Sequence, residues 1–494
     1  MKKIYSLLLA VMLMGLYSCE DFLDKQPTTS IDAEEAITNV KDARIALNGM
    51  YSAFKSSGYY GRSFVVVPDI MTDEAFSVIG YSNNYGEMYK WTYTSGMGSS
   101  PWGVMYSTII RSSNIINVID DIQGDSIQKA SIKGEALLGR ALAHFDLVKT
   151  YGKAYNASTA STDLGVPVIT EYQQGQPERN TIEEVYTQII EDATEARELI
   201  PAVGEGYYHE DFTRYFTKHA ADALLARVYL YMNNWDKAIF HASNLINDDQ
   251  FALAGYEANE DAFDYFQNMW TYDAGSEIIC KFGLTVADAS FIIPGYSYYN
   301  DEQNKDGKPT PDFVPAEWLI DMYDVNNDIR YNSYFITEET SYNGWVTTLV
   351  NKFPGNPEFD GTNQNGAHMP KLFRLAEMYL IRAEAYAEND ENALAAADLN
   401  TLRSKRIVGY SDEFLTGDDL KAAIWDERTK ELAFEGHRFF DLKRKGLGFT
   451  RVPQENTVAG PNSLSILPSN HRWSWAIPQS EFNGNENMVQ NPGY

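Results

Sequence analysis

Three segments of the chain repeat one spacing of an acid, a leucine and an arginine. They are Glu135–Arg140, Asp222–Arg227 and Glu377–Arg382; in each, the leucine follows the acid by three residues and the arginine follows it by five. The flanking apolar residues recur at intervals of three and four, which is typical of amphipathic helices. A helix that repeats its pattern so far along a chain indicates a fold built from similar helical units.

The second and third of these segments are each followed by a short polar turn and a new helical stretch. The turns lie at 233–234 and 389–392. Paired helices joined in this way are similar to the tetratricopeptide helix-turn-helix repeat, although here long insertions separate the copies. We therefore expect a mostly α-helical protein whose helix pairs support an irregular, loop-rich ligand-binding region with a few short strands.

The apolar periodicity also gives approximate element bounds. Thr181 followed by Glu184 forms a capping-box start. Short β-like runs occur at Glu277–Phe282 and Gly344–Phe353. Helices are predicted at Ala36–Phe54, Trp102–Ile119, Ile127–Tyr151, Thr181–Ile200, Phe216–Met232, Trp235–Ile246, Leu372–Ala387, Ala393–Arg406 and Leu420–Arg438.

The start of the chain has the pattern of a secretory signal, 1–18. Lys2 and Lys3 precede an apolar stretch that ends at Tyr17 and is too short to span a bilayer, and acids follow directly after Cys19. A cysteine at the cleavage point predicts a lipoprotein signal in which Cys19 becomes the lipidated first residue. The alternative is an ordinary secreted protein with a chance cysteine. We expect attachment to a membrane surface through this lipid.

The remainder, 19–494, is expected to be a single domain. Its helical scaffold covers roughly 30–250 and 370–445, its irregular binding insertion covers roughly 250–370, and an extended tail covers 446–494.

The acidic composition restricts the classes of partner. The formal net charge is −29, from 40 Lys and Arg against 69 Asp and Glu. Nucleic acid is therefore not an expected partner, because phosphate binding needs clustered Lys and Arg. A neutral ligand fits such a surface best, although acidity can also serve solubility alone.

The sequence contains none of the common catalytic motifs: no G-x-S-x-G, H-E-x-x-H, P-loop or dinucleotide-binding fingerprint. One dense ionic run includes Glu431 and Glu435, and a pair of carboxylates could serve a glycosidase. Arg428 and Arg438 are interleaved with these acids, which favours a structural network of ion pairs. We expect no enzymatic activity, with a carboxylate glycosidase as a remote alternative.

A cofactor or metal is not predicted either. Asp324–Asp328 begins like a calcium loop, but Ile329 and Phe335 stand where that loop requires Gly and Glu. The spacing leaves a structural calcium ion open without predicting one.

Aromatic residues are plentiful, with 33 Tyr, 24 Phe and 9 Trp, and many lie in Asn- and Gly-rich stretches. One group lies at 81–93 and another at 296–318, followed by Tyr342 and Trp345. Rings pack against the C–H faces of neutral sugars, and Asn side chains both donate to and accept from hydroxyls. Any single ring can equally belong to the core.

Several short motifs occur in a characteristic order: Cys19–Pro27, Trp102–Tyr106 with Ser113 and Asn114, Gly165–Val168, Phe373–Glu384, Glu427–Arg438, Asp441–Arg444, Ala476–Gln479 and Asn491–Tyr494. In this order the chain resembles the SusD/RagB family of outer-membrane nutrient-binding lipoproteins of the Bacteroidetes. The resemblance covers nearly the whole chain. It implies about four tetratricopeptide-like helix pairs that carry a variable binding region.

The resemblance also implies a role. Family members are anchored to the outer membrane by lipid, face the cell exterior, and cap a SusC-like TonB-dependent transporter. They capture an oligo- or polysaccharide, or peptides in the RagB-like branch, and they are not enzymes. The identity, linkage and charge of the ligand, and whether the transporter completes the site, stay open.

The resemblance places the glycan platform by region: in the loop before the Trp102 helix and in the large insertion. The candidates are Tyr81, Asn84, Tyr85, Trp91, Tyr296, Tyr299 and Trp318.

Overall fold

The computed structural model describes residues 36–80, 84–96, 101–171, 175–205, 209, 211–256, 265–286, 295–298, 307–359, 367–458 and 465–494, without the side chains of 265, 296 and 297. The predicted signal segment and Cys19 lie outside these ranges.

The described residues form mostly helices. The helices are α1 (Val40–Phe54), α2 (Ser63–Ile70), α3 (Gly86–Tyr89), α4 (Trp102–Val118), α5 (Ser126–Tyr151), α6 (Ile182–Leu199), α7 (Lys218–Tyr231), α8 (Trp235–Ile246), α9 (Tyr265–Thr271), α10 (Gly295–Tyr298), α11 (Glu317–Ile320), α12 (Ile329–Tyr334), α13 (Leu375–Glu388), α14 (Asn392–Arg406), α15 (Gly417–Glu431), α16 (Arg438–Arg444) and α17 (Gln479–Gly484).

The strands are short and pair two by two, always antiparallel. They are β1 (Ala75–Ser77), β2 (Ile278–Lys281), β3 (Phe313–Pro315), β4 (Phe335–Glu339), β5 (Val346–Val350), β6 (Lys371–Arg374), β7 (Phe449–Thr450) and β8 (Ser465–Ile466). The pairs are β1–β3, β2–β6, β4–β5 and β7–β8. In the β1–β3 pair, Phe76 lies opposite Val314. The mostly helical fold with few strands is confirmed.

The long helices pack as four pairs along the chain: α1 with α4, α5 with α6, α7 with α8, and α13 with α14. Neighbouring pairs also touch, since α4 packs on α5, α6 on α7, and α8 on α13. The capping box that starts α6 is present: the Glu184 N–H donates to Thr181 Oγ1 at 3.2 Å and the Thr181 N–H donates to Glu184 Oε2 at 2.8 Å.

The repeated arginines join these helices through two-pronged ion pairs. Arg140 on α5 donates twice to Asp192 on α6, both at 2.8 Å. Arg382 on α13 donates in the same way to Asp398 on α14, at 2.8 and 2.7 Å. A guanidinium fork matches a carboxylate in this geometry and fixes both side chains. In these two pairs, the repeat arginine therefore fixes one helix to its partner helix.

The remaining repeat arginine, Arg227, and the repeat acids connect one helix pair to another. Arg227 on α7 donates to Glu377 on α13 at 2.7 and 2.6 Å. Asp222 on α7 accepts from Arg197 on α6 at 2.8 Å. The spacing that first identified the repeat is therefore the spacing of the ion pairs that hold successive pairs together.

One predicted helix, Leu420–Arg438, is wrong in its extent. The structure ends α15 at Glu431 and begins α16 at Arg438. Between them Phe434 and Gly436 have positive φ, 64° and 79°. A Cβ at Gly436 would lie 3.1 Å from the backbone oxygens of two α2 residues, so the close approach of α2 requires the turn.

Two large apolar cores divide the molecule. One lies among the scaffold helices and the C-terminal tail, and includes Leu47, Leu138 and Phe439. The other lies under the insertion, where Trp270, Tyr334 and the β1–β3 pair pack together. This second core also includes Val66 and Ile70 of α2, so the insertion packs directly on the scaffold, and polar groups supply the specific part of the joint.

A buried ion network supplies that joint. Glu431 at the end of α15 accepts from Arg374 at 2.8 Å, Arg406 at 2.9 Å and Arg330 at 3.0 Å. Glu277 accepts from Arg374 at 2.7 Å and from Arg406 at 2.9 Å. These five side chains are at most 2% exposed. Arg330 and Glu277 come from the insertion, so the network ties it to the scaffold.

The network holds Glu431 ionised. Burial alone would raise the pKa of Glu431, but Arg406, Arg374 and Arg330 hold it well below its usual value. Glu435 likewise accepts from Arg374 and Lys352. The preference for ion pairs along this run is confirmed, since both carboxylates are paired with buried cations.

We predict that Glu431→Gln lowers the free energy of unfolding by about 3–5 kcal/mol, because three buried arginines lose their shared charge partner. Urea or thermal unfolding measures the loss. The matched control is Glu413→Gln. Its half-exposed carboxylate pairs with Arg403, and the substitution should cost under about 1 kcal/mol. Equal losses in the two variants would show that the network is not the joint.

We also predict a pH dependence at Glu427. Burial raises its pKa, but Arg330, Lys430 and Arg403 outweigh burial and lower the pKa to about 2. Because the folded-state value lies below the usual 4.5, the ionised group stabilises the fold above about pH 4.5, and this contribution disappears as the pH falls toward 2. The stability gap between wild type and Glu427→Gln should therefore shrink over that window in urea titrations. A constant gap would contradict the assignment.

Candidate functional site

Three distant parts of the chain form one surface, which we name the loop face: residues 78–80 with 84–85, residues 307–318 with 340–346, and residues 454–458. Backbone hydrogen bonds join them. The Val78 N–H donates to the Asp312 carbonyl at 3.0 Å, and the Ile79 N–H donates to the Asn456 carbonyl at 2.9 Å. The loop face therefore continues the β1–β3 pair outward and includes part of the tail.

Aromatic and amide side chains converge on this face. The Asn84 amide donates to the Asp312 carboxylate at 2.9 Å. The Tyr342 hydroxyl donates to the Pro311 carbonyl at 3.1 Å. The Tyr342 ring lies against Gly80, where an added Cβ would meet a ring carbon at 3.8 Å. Burial and the Asp312 charge raise the pKa of Tyr342 to about 12, so its hydroxyl stays neutral.

The turn between β4 and β5 positions a second ring, Trp345. Asn343 and Gly344 have positive φ, 55° and 77°, which closes the turn tightly. The Trp345 carbonyl accepts from the Thr340 N–H and hydroxyl at 2.8 and 2.9 Å. The ring is half-buried against the insertion core, so part of it stays open to a ligand.

Trp318 lies beyond the far end of β3 and is held by two contacts. Its Nε1 donates to the Asp73 carbonyl at 2.8 Å. The Arg438 guanidinium lies 5.4 Å from the Trp318 ring and 5.5 Å from the ring of Trp425 on α15, and pairs with the Asp73 carboxylate at 3.1 Å. The Asp73 carbonyl and the Arg438 guanidinium together fix this loop-face ring to the scaffold.

Trp425 was missed by the sequence analysis. It lies on α15, a helix rich in charged residues. Its contact with Arg438 forms only because the turn after α15 brings Arg438 back over the ring. Both tryptophans are half-buried.

The candidates before the Trp102 helix have different environments. Asn84 is exposed on the loop face. Tyr85 has a positive φ of 55° and is half-buried, with its hydroxyl 2.8 Å from Ser63 Oγ. These two residues and Trp318 remain the described platform candidates.

Trp91 requires a correction, because the structure places it in the core. Its ring is 2% exposed and packs edge-on against Trp473 with ring centres 4.9 Å apart. Its Nε1 donates to the Met71 carbonyl at 2.6 Å. A ring enclosed in this way offers no face to a sugar, so we remove Trp91 from the platform.

Tyr81 and Tyr299 lie outside the described residues. Tyr296 belongs to α10, but its side chain is not described. These three assignments stay predictions. Within the described ranges, no group of three or more His, Cys, Asp or Glu side chains is arranged to hold a metal ion.

Two larger cavities lie where the C-terminal tail packs on the scaffold. One, of about 520 Å³, is lined in part by Arg179 and Lys443, and the other, of about 780 Å³, by Trp102 and Met488. The Arg179 guanidinium donates to structural acceptors, including the Val489 carbonyl at 3.0 Å. We interpret these cavities as gaps between the tail and the scaffold rather than as the binding site.

A frame of helix pairs that presents an aromatic, amide-bearing loop surface defines the class of tetratricopeptide-like binding proteins. A model described as the SusD family matches residues 287–494, and one described as "Starch-binding associating with outer membrane" matches residues 21–230. The chain belongs to the SusD/RagB family, as the motifs indicated.

Individual relatives agree over the whole length. SusD-like protein P2 of Formosa agariphila is 27% identical, with both chains fully covered. A SusD superfamily protein from Bacteroides thetaiotaomicron superposes with a TM-score of 0.79 at 27% identity, covering 92% of this chain and all of the other. A putative sugar-binding protein from Bacteroides vulgatus gives 0.77 at 28% identity, covering 93% and 99%.

We predict that Trp91→Ala destabilises the protein by about 3–5 kcal/mol, as expected for an aromatic ring removed from a packed core. Trp345→Ala, which removes a half-buried ring at a turn, should cost about 1 kcal/mol. Chemical unfolding of both variants measures the difference. A small loss for Trp91→Ala would return that ring to the list of surface candidates.

Proposed function

We propose that the protein is a cell-surface lipoprotein that binds a neutral oligo- or polysaccharide through its loop face and delivers it to a SusC-like TonB-dependent transporter. The observation that carries the proposal is the loop face itself. It combines Asn84, Tyr342, Trp345 and Trp318 on loops that ion pairs and backbone hydrogen bonds hold to a rigid frame.

The chemistry of the face supports a sugar ligand. Half-buried rings offer apolar faces for the C–H side of a pyranose, while amide and carboxylate groups bond hydroxyls. The starch-binding description of one matching family model and the sugar-binding title of one structural relative agree with this choice.

Such a site should bind weakly, with Kd about 10 µM to 1 mM, because desolvation of hydroxyls offsets much of the contact energy. A polymer repeats its binding unit, so several weak contacts act together. Weak individual binding also suits a protein that must release its ligand to a transporter.

The membrane placement is part of the proposal. Lipid attached at Cys19 would anchor the chain to the outer membrane, with the domain facing the exterior. In the part of the chain that the structure describes, every helix is too short or too polar to be a membrane span.

We predict that one polysaccharide of a plant, microbial and host panel retards the protein in affinity gel electrophoresis. Trp345→Ala and Asn84→Ala should each weaken that retardation at least about tenfold with little change in melting temperature, because they remove ligand contacts rather than core packing. The matched aromatic control is Phe414→Ala, which removes an 87% exposed ring outside the loop face and should leave retardation unchanged.

Two outcomes would contradict the proposal. Heat of binding with a peptide mixture, together with no retardation by any glycan, would assign the protein to the peptide-capturing branch. Retardation that survives both loop-face substitutions would place the glycan elsewhere on the molecule.

A further inference from the structure

Beneath the loop face, four polar side-chain atoms are buried and have no hydrogen-bond partner among the residues that the structure describes. They are Asp69 Oδ1, Glu74 Oε2, Ser77 Oγ and the Tyr298 hydroxyl. The four residues are at most 2% exposed. Buried polar atoms are almost always satisfied, so several orphans in one region indicate an occupant that supplies the missing bonds.

Neighbouring contacts bring these residues together. The other oxygen of Asp69 accepts from the Gly436 N–H at 2.7 Å, two residues after Phe434, whose ring lies 5.5 Å from that of Tyr298. Burial, and then the negative charges of Asp69 and Glu74, raise the pKa of the Tyr298 hydroxyl. We name this group the acidic chamber: Asp69, Glu74, Ser77 and Tyr298.

Strand pairing and helix packing hold the residues of the acidic chamber in place. Ser77 ends β1 and lies opposite Phe313 in the β1–β3 pair. The Glu74 carbonyl accepts from the Ala316 N–H at 2.7 Å, just beyond β3. The helix that carries Tyr298 packs on β3 and β5.

The nearest basic groups do not neutralise the chamber. Arg438 is paired with Asp73 at 3.1 Å, and Lys352 is paired with Glu435 at 2.7 Å. Within the described part of the chain, neither chamber carboxylate forms a salt bridge, although Lys352 and Arg438 lie close enough to act on them electrostatically, and an unpaired buried charge is costly.

We propose that the acidic chamber binds one calcium ion. Its four orphan atoms are all oxygens, the ligand type that hard cations prefer. Two carboxylates match the charge of a divalent ion, and the Ser77 and Tyr298 hydroxyls extend the oxygen set beyond carboxylates. Calcium accepts irregular coordination, whereas magnesium demands near-octahedral geometry and usually retains several waters, which suits fully buried side-chain ligands less well.

A bound calcium ion would stiffen the base of the binding surface. Ser77 is directly followed by Val78 and Ile79, which join the loop face to the tail. Glu74 is directly preceded by Asp73, whose carbonyl holds Trp318. Calcium would fix both segments from below without touching the glycan.

The test is a calcium titration of the purified protein, stripped with EDTA, at constant ionic strength. We expect one calcium per chain by calorimetry, with Kd about 10⁻⁴ to 10⁻³ M, and a rise in melting temperature on addition. Magnesium and sodium should produce a smaller rise or none.

Variants locate the ion. Asp69→Asn and Glu74→Gln should abolish the calcium-dependent rise, and Ser77→Ala should weaken calcium binding. The matched control is Asp324→Asn, which alters an exposed turn that resembles the start of a calcium loop and should leave the rise intact. If the carboxylate variants do not fold, calcium calorimetry on wild type and Ser77→Ala decides the question.

Three results would overturn the proposal. The first is a protein indifferent to calcium, whose chamber is then satisfied by protons or water. The second is an equal response to magnesium or sodium. The third is a calcium response that Asp324→Asn removes while Ser77→Ala retains it in full.

Discussion

The shared burial of Glu431, Glu277 and their arginines is the interaction on which the two-core structure depends. The core under the insertion also includes Val66, Ile70 and Phe434 of the scaffold, but apolar packing tolerates small shifts in position. Arginine forks and carboxylates, by contrast, accept few geometries. Because Arg374 and Arg406 each bond both acids, moving either unit would leave charges buried and unpaired. The network therefore fixes where the loop face stands relative to the helices.

The same chemistry operates along the scaffold on a smaller scale. Each repeat arginine reaches an acid on a neighbouring helix, and Arg227 joins pairs that are 150 residues apart in the sequence. Helix pairs locked in this way tolerate long insertions between them, since the ion pairs form between helices and not through the connections. A frame held by its own repeats can thus carry loops of variable content, which is where binding residues usually lie.

Periodicity predicted the helices well because most are amphipathic and capped locally, as at Thr181. It failed at Leu420–Arg438, where the apolar and ionic spacing continues through a turn. What ends α15 is the approach of α2 to Gly436, a tertiary contact that no local pattern records. The site was predicted only by region. Asn84 and Trp318 reach the loop face, whereas Trp91 lies in the core, and all three occur in similar aromatic, polar stretches.

The difference between Trp91 and Trp318 shows why ring-rich loops cannot be read directly as binding surfaces. Both indole N–H groups donate to a backbone carbonyl, of Met71 and Asp73 respectively, so both rings are anchored. What differs is the partner of the ring face. Trp91 meets other aromatic rings of the scaffold and tail, which exclude water, while Trp318 meets the guanidinium of Arg438, which leaves the surrounding surface polar. A cation over one face of a half-buried ring fixes its position and leaves the ring partly exposed, which is compatible with the sugar platform that we propose.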